Sequence, residues 1–407
     1  MRLVLPHLIA LGCDVEVLTV HPDDVAGPQD PALAAQLPST LRLHRVRAPS
    51  FALWGLQGLA QRSFLPLYRK GNELLANGNY DLVFFSTTEF LLHALGPMWR
   101  RKFGIPFCMD LQDPWVNDYY RDNPHIRPPG GRLKHAVASR LHRMVEKAVV
   151  PRASGFLSVS PAYLPMMEQR HGALVAMQPR LVATFPAEPG EFAGIASTEV
   201  SDAASTTKVW RYVGRGGADM ARAASAFFLA WREAIGAGLL TENQVRFEAL
   251  GTSYASEAAA MKTLEPLALP AGLASRVSEV PARLGYMEML RTLNQSDALI
   301  VFGSDDPAYT ASKIYPYLLA RKPLLCIFHE KSSVVGLIRS VGGAACVSFN
   351  ERTSELELVT AIRHGWFDQR NYQRCIPLDA VAFEPHTARS QAAQLVPWFE
   401  QVVAYRG

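Results

Sequence analysis

Phe302-Gly303-Ser304-Asp305-Asp306-Pro307-Ala308-Tyr309-Thr310-Ala311-Ser312-Lys313-Ile314-Tyr315-Pro316-Tyr317-Leu318-Leu319-Ala320-Arg321-Lys322-Pro323-Leu324-Leu325 joins the end of one apolar strand to the start of the next. The strand ends at Gly303, a polar loop follows, and Thr310 or Ser312 is placed to cap a helix that stops before Lys322-Pro323. Lys313 falls in the first turn of that helix. A cation is unfavourable at a helix N-terminus unless an anion lies nearby, so this helix start is a candidate diphosphate site. A strand, a helix and a second strand in this order predict a parallel sheet covered by helices.

The pattern continues on both sides. Val209–Val213, Val245–Leu250, Ala298–Phe302, Leu324–Phe328 and Ala344–Ser348 are short, apolar or β-branched runs separated by helical patterns. The first of them runs into Gly214-Arg215-Gly216-Gly217 and then a helical stretch from Met220. Glycines let backbone amides approach an anion, and Arg215 can add a two-pronged contact to a phosphate. The alternative is a plain strand-to-helix turn. In the first half, Val15–Val20, Leu41–Val46, Leu82–Ser86, Pro106–Leu111 and Gly155–Ser160 read as strands, after an opening helix stopped by Gly12.

Between 186 and 207 the chain becomes PAEPGEFAGIASTEVSDAASTT, small, polar and without periodicity, the composition of a linker. The expected organisation is therefore α/β: a Rossmann-like domain over 1–185, a linker, and a second Rossmann-like domain over 208–380. Residues 381–407 form a C-terminal helical segment expected to pack back on the first domain. Two doubly wound parallel sheets in tandem would face a central cleft at the carboxyl ends of their strands.

The composition excludes several classes. Lys and Arg total 41 against 37 for Asp and Glu, too small an excess for a nucleic-acid binder. Cys13, Cys108, Cys326, Cys346 and Cys375 stand far apart, so neither a disulfide framework nor a zinc site is expected, and a cytoplasmic setting fits. The histidines show no HExxH or other ligand spacing. No Gly-x-Ser-x-Gly elbow is present. The apolar N-terminus is interrupted by Asp14 and Glu16, which argues against a signal peptide, and no stretch reaches the length of a membrane span.

Asp110-Leu111-Gln112-Asp113-Pro114-Trp115 follows an apolar strand. Asp113 can accept hydrogen bonds from sugar hydroxyls or orient an acceptor, and Trp115 can offer a flat face to a ring. The alternative is a turn carboxylate beside a packed indole. Ser86-Thr87-Thr88-Glu89 is a similar strand end whose hydroxyls could instead cap a helix. The segment 132–152, RLKHAVASRLHRMVEKAVVPR, and the aromatic, apolar segment 51–67 suit a membrane surface. A solvated helix face explains the first of these equally well.

The block TASKIYPYLLARKPLL resembles the Ser-Lys, Glu-Tyr, Gly-Lys-Pro segment of retaining GT-B glycosyltransferases that assemble bacterial polysaccharides and lipid-linked glycans. LIALGCDVEVLTV, YDLVFFSTTEF, CMDLQDPW, ASGFLSVSPAYLPMM, YVGRGG and LGYMEMLRTLNQSDALIVFG follow in the same order, so the similarity spans nearly the whole chain. The resemblance implies transfer of a glycosyl group from a nucleoside diphosphate sugar to a glycan or lipid-linked acceptor. It implies no metal and no cofactor, because basic side chains and helix starts neutralise the diphosphate. Gly214, Arg215, Gly216, Gly217, Thr310, Ser312, Lys313 and Tyr317 would hold the donor. Arg215 and Lys313 would stabilise the leaving group, with Asp113 acting on the acceptor side. Asp305-Asp306 is not an Asp-x-Asp metal motif and reads as a polar loop near the sugar. A cytoplasmic enzyme, peripheral on the membrane, is expected.

Two departures stand out. Where relatives carry a Glu for the nucleotide ribose, this chain has Pro316, whose ring cannot accept that bond. Relatives also open with a strand and a Gly-rich loop, so the N-terminal sheet is expected to lack its first strand, which a misplaced start codon would explain. Pro316 favours a second hypothesis, a non-catalytic relative acting as a nucleotide- or glycan-binding or assembly partner. A nucleotide-sugar epimerase of the same fold would need acid–base carboxylates and a histidine in a pattern that is not present.

Overall fold

The computed structural model describes residues 1–25, 30–49, 58–116, 131–193, 195, 207–253, 260–307, 309 and 311–405. They form two compact units, one of Met1–Gly27, Leu37–Pro186 and Ala388–Gly407, the other of Pro28–Gln36 and Ala187–Thr387. The 381–407 segment is thus divided at Thr387. The part from Ala388 onward, which carries the helix Ala388–Ala404, goes to the first unit. Most of the 186–207 linker lies outside the described residues.

The second unit is built on six parallel strands: β7 (Lys208–Val213), β8 (Val245–Leu250), β9 (Val277–Val280), β10 (Ala298–Phe302), β11 (Leu324–His329) and β12 (Ala345–Phe349). Their spatial order is β12-β11-β10-β7-β8-β9, the doubly wound order 3-2-1-4-5-6 read from the other edge. β10 and β11 are buried along their whole length, as strands covered on both faces must be, and this is why they read as unbroken apolar runs. The helix Ala221–Gly236 turns Ala223, Ala226, Ala230 and Ala234 inward, and small side chains let it lie close on the sheet. Phe227 and Trp231 fill the space around Trp210 at ring-centroid distances of 6.4 and 6.0 Å.

β9 was not expected from sequence. Its residues alternate buried and exposed, and one of the two inward positions is a carboxylate, Glu279. An edge strand of four residues with a charged inward side chain gives no hydrophobic signature.

In the first unit, β1 (Glu16–Val20) pairs with β2 (Arg42–Val46), and β3 (Val83–Ser86), β4 (Phe107–Leu111), β5 (Gly155–Ser158) and β6 (Arg180–Val182) form a separate parallel quartet. Among the described residues the pair and the quartet share no strand pairing. The opening helix Leu5–Ala10 ends ahead of Gly12, whose φ of 92° is the left-handed conformation that favours glycine. Val4 and Leu8 of this N-terminal segment pack with Leu395, Trp398 and Val402 of the helix Ala388–Ala404. The close approach of that helix needs Gly155 in β5, since a Cβ there would lie 2.5 Å from Val402 Cγ2. On the sheet's other side, Gly96 lets Phe107 stack tightly, with 2.5 Å between the ring and a built Cβ.

Candidate functional site

In a doubly wound sheet the ligand crevice opens at the carboxyl ends of the strands where the order reverses. Here that point is between β7 and β10. The two strands pair only through Ala298 with Trp210 and Leu299 with Arg211, and beyond these residues they part.

Tyr317 occupies the parting. It is fully buried, and its hydroxyl accepts from Val213 N at 2.5 Å and donates to Val213 O at 2.9 Å. A phenol thus satisfies the peptide edge that β10 leaves unpaired. This corrects the expectation that Tyr317 contacts the donor: its polar atom is spent on the strand. Burial also holds its phenol well above its ordinary range. Tyr317→Phe should leave both Val213 groups buried without a partner and cost about 1–3 kcal/mol of stability, measured by urea unfolding. A midpoint equal to that of the parent would refute this role.

After β7 the chain turns through Gly214, whose φ is 146° and whose N–H donates to Leu250 O at 2.9 Å. A Cβ on Gly214 would lie 2.9 Å from Lys313 Nζ, so the absence of a side chain is what admits the lysine. Gly216 donates to Thr252 O at 2.8 Å, and its Cβ would sit 2.4 Å from Thr263 Oγ1. At Gly217 a Cβ would intrude on Asp219 Oδ1 at 2.5 Å and Arg215 Nη1 at 2.7 Å. Each glycine of the turn therefore makes room for a specific neighbour.

Lys313 comes from the segment after β10. The helix it precedes runs over Ile314–Leu319, with Lys313 itself at the N-cap and no side-chain capping bond. Ser312 is exposed and does not cap it, which corrects that expectation; Thr310 lies outside the described residues. Pro316 is the third helical residue, where an N–H would have no intrahelical partner, so the ring is tolerated there.

Lys313 Nζ donates to the Tyr212 hydroxyl and lies 4.4 Å from the centre of that ring. The Tyr212 hydroxyl in turn donates to Arg215 O. Burial keeps this phenol protonated, far above its ordinary range. Arg215 is held by both oxygens of Asp219, at 2.9 and 2.8 Å, and its guanidinium lies 5.3 Å from the centre of the Tyr309 ring. Burial pushes the Asp219 carboxyl up, but its bonds to Arg215 and Ser304 outweigh that and hold it below its ordinary value. The Asp219 carbonyl accepts from Asp305 N at 2.8 Å, tying the turn after β7 to the loop after β10.

Lys313 is in the opposite situation. Burial lowers its pKa to about 7, and neighbouring Arg215 and Arg283 push the same way, with only Asp219 opposing. Among the described residues no carboxylate forms an ion pair with it. The ammonium is therefore set for an anion that the protein does not itself supply.

Behind the turn, Glu279 is buried and accepts from the backbone N–H groups of Thr263, Leu264 and Glu265 at 3.0, 2.8 and 2.9 Å, and from the Thr252 hydroxyl. It fixes the segment against which Gly216 packs. Tyr212, Asp219 and Glu279 were not singled out from sequence. Only Asp219 carried a readable signal, its spacing of four from Arg215.

In the first unit, Asp113 is exposed just beyond β4. Trp115 offers no face to a ligand: it is buried, stacked on Phe90 at 5.7 Å, and donates from Nε1 to His142 Nδ1 at 3.0 Å. Its packed alternative is the one observed. Beside it, burial lowers the pKa of His93 to about 4. Ser86 donates to Asp110 Oδ2 at 2.8 Å, as does Gln112, and Thr87 Oγ1 accepts from Glu89 N at 3.0 Å. These polar groups serve the strand ends. The three residues expected to be catalytic are thus divided between units, with Asp113 in the first and Arg215 and Lys313 meeting in the second. Among the described residues no group of three His, Cys, Asp or Glu side chains could hold a metal ion, and no helix is long and apolar enough to cross a membrane.

Two doubly wound parallel-sheet units in one chain are the architecture of the GT-B fold, and known proteins agree on that fold. Residues 2–175 match the model of the glycosyl transferase 4-like domain. No curated protein matches by sequence. Among solved structures, a sucrose-phosphate synthase from Thermosynechococcus elongatus is similar at a TM-score of 0.60 and 15% identity, covering 99% of this chain and 92% of its own. HepE from Anabaena, solved in complex with UDP-glucose, gives 0.58 and 15%, covering 94% and 99%. A glycosyltransferase from Rickettsia africae gives 0.60 and 11%, covering 99% and 94%. At such identities these structures establish the shared fold.

Proposed function

We propose that this chain transfers a sugar from a nucleoside diphosphate sugar to a glycan or lipid-linked acceptor, with retention of configuration, without a metal, at the cytoplasmic face of a membrane. The observation that carries this reading is the meeting of Lys313 and Arg215 at the carboxyl ends of β7 and β10. A diphosphate leaving group gains negative charge as the glycosidic bond breaks. An ammonium that has no carboxylate ion-pair partner among the described residues, and an oriented guanidinium placed there, favour that charge most where it is greatest. The Asp219 fork holds Arg215 ready, so little reorganisation accompanies the reaction. Asp113 is assigned to the acceptor side. Binding of UDP-glucose by the HepE fold supports a uridine nucleotide as donor carrier.

A second reading, a non-catalytic nucleotide-binding relative, is favoured by Pro316. The flanking Tyr315 and Tyr317 are both buried, so none of the three offers a side-chain acceptor to a ribose.

Calorimetric binding and donor hydrolysis with uridine and guanosine diphosphate sugars test both readings. The parent protein should bind and turn over one of them. Arg215→Ala should weaken binding about 100-fold, or about 2.7 kcal/mol. Binding without turnover would select the second reading, and turnover unaffected by Arg215→Ala would remove the site assignment.

A further inference from the structure

The helix Arg132–Val149 carries an unusual outer face. Val137, Leu141 and Met144 are 60, 45 and 70% exposed, and at spacings of four and three they form one stripe. Arg140, Arg143 and Lys147 are exposed alongside, one position before or three after members of the stripe. The helix has a single acidic residue, Glu146, and it is turned inward: buried, it accepts from Arg170 at 2.7 and 3.2 Å and lies 3.4 Å from His171 Nε2. His142 is turned inward too, accepting from Trp115, and burial holds its imidazole below its ordinary pKa, so it adds no charge outside. What the helix presents is cationic and apolar, with no exposed carboxylate.

An ordinary solvated face mixes charges of both signs and keeps large apolar side chains inside. A polyanion without apolar surface, such as a nucleic acid, would use the arginines but leave the valine, leucine and methionine unsatisfied. A bilayer with anionic headgroups uses both: the side chains of the stripe enter the boundary between headgroup and acyl chain while the basic row meets phosphate. The helix spans about 27 Å, enough for a contact lying in the plane of the interface.

We infer that the Val137-Leu141-Met144 stripe and the Arg140-Arg143-Lys147 row dock the first unit on an anionic lipid surface. This goes beyond the transfer reaction and holds whatever the donor, since none of these residues belongs to the donor site.

The test is sedimentation of the full chain with phosphatidylcholine vesicles with and without phosphatidylglycerol, at low and high salt. The parent should bind only the anionic vesicles, and less at high salt. The double variant Arg140→Glu/Lys147→Glu should lose affinity by at least about tenfold, and so should Val137→Ser/Met144→Ser, which leaves the charge intact. All positions are exposed, and equal thermal melting and donor binding confirm that the variants fold. Failure to bind anionic vesicles, equal binding to both compositions, or unchanged binding by either variant overturns the inference. So does concentration-dependent dimerisation that the serine variant abolishes, which would assign the stripe to a second copy of the chain, or a preference for RNA over vesicles in competition. Loss of donor turnover with vesicle binding intact would leave the docking surface standing and count against the transferase reading alone.

Discussion

Lys313→Met is expected to abolish donor binding while making the free protein more stable. The lysine's pKa falls from an ordinary 10.5 to about 7 in the folded chain. Below about pH 7 both folded and unfolded states carry the proton, and the folded state bears the full cost of a desolvated ammonium. Between about 7 and 10.5 the unfolded state holds the proton and the folded state releases it, so stability rises with pH across that window. Removing the amine should relieve a cost of about 3 kcal/mol at pH 6 and little above pH 10.

Donor binding has the opposite dependence. A diphosphate beside Nζ favours the ammonium, so above pH 7 binding must take up a proton and affinity should fall by up to about tenfold per pH unit. Calorimetry in buffers of different ionisation enthalpy should show uptake of about half a proton at pH 7, absent in the methionine variant. Equal affinity at pH 6 and pH 9, or a variant less stable than its parent at pH 6, would show that the ammonium does not have this role.

Glu279→Ala should be the most damaging single change for folding of the second unit. Its carboxylate is the common acceptor for three backbone N–H groups and one hydroxyl in a buried place. Alanine would leave those donors without a partner and a cavity behind them, a loss of about 3–5 kcal/mol. The effect should reach the donor site, because Thr252 accepts from Gly216 and Thr263 walls it in. Urea unfolding and calorimetric donor binding on the same variant check both parts. Glu279→Gln keeps the shape and should lose less than half as much. Wild-type stability in the alanine variant would contradict the network.

Much of this was legible in the sequence because it rests on local regularities. β10 and β11 are buried on both faces, so their apolar runs announce them, and the Gly-Arg-Gly-Gly turn after β7 announces a tight strand-to-helix passage. Adjacency of that turn with Lys313 followed from placing both at the carboxyl ends of parallel strands. What stayed hidden depends on partners distant in sequence. Glu279 resembles a surface carboxylate until the segment 263–265 folds over it. Tyr317 looked like a ligand residue because the parting of β7 from β10, which its hydroxyl fills, is a property of the sheet and not of the helix. Ser312 carries a capping side chain, yet the helix starts after the next residue, so composition identified the helix and missed its boundary. Trp115 was open between two roles, and only the stack with Phe90 and the bond to His142 decide it.

The helix Ala388–Ala404 closes the first unit against β5, although the second unit separates the two in sequence. On the ribosome, then, the earlier unit emerges with one wall absent and waits until some two hundred further residues have been made. During that interval Leu157, Ala183 and Val4 remain uncovered, a liability for sticking to other nascent chains. A circular permutant that supplies this helix ahead of residue 1 should shorten the wait and refold faster from denaturant, since the contact then spans fewer residues.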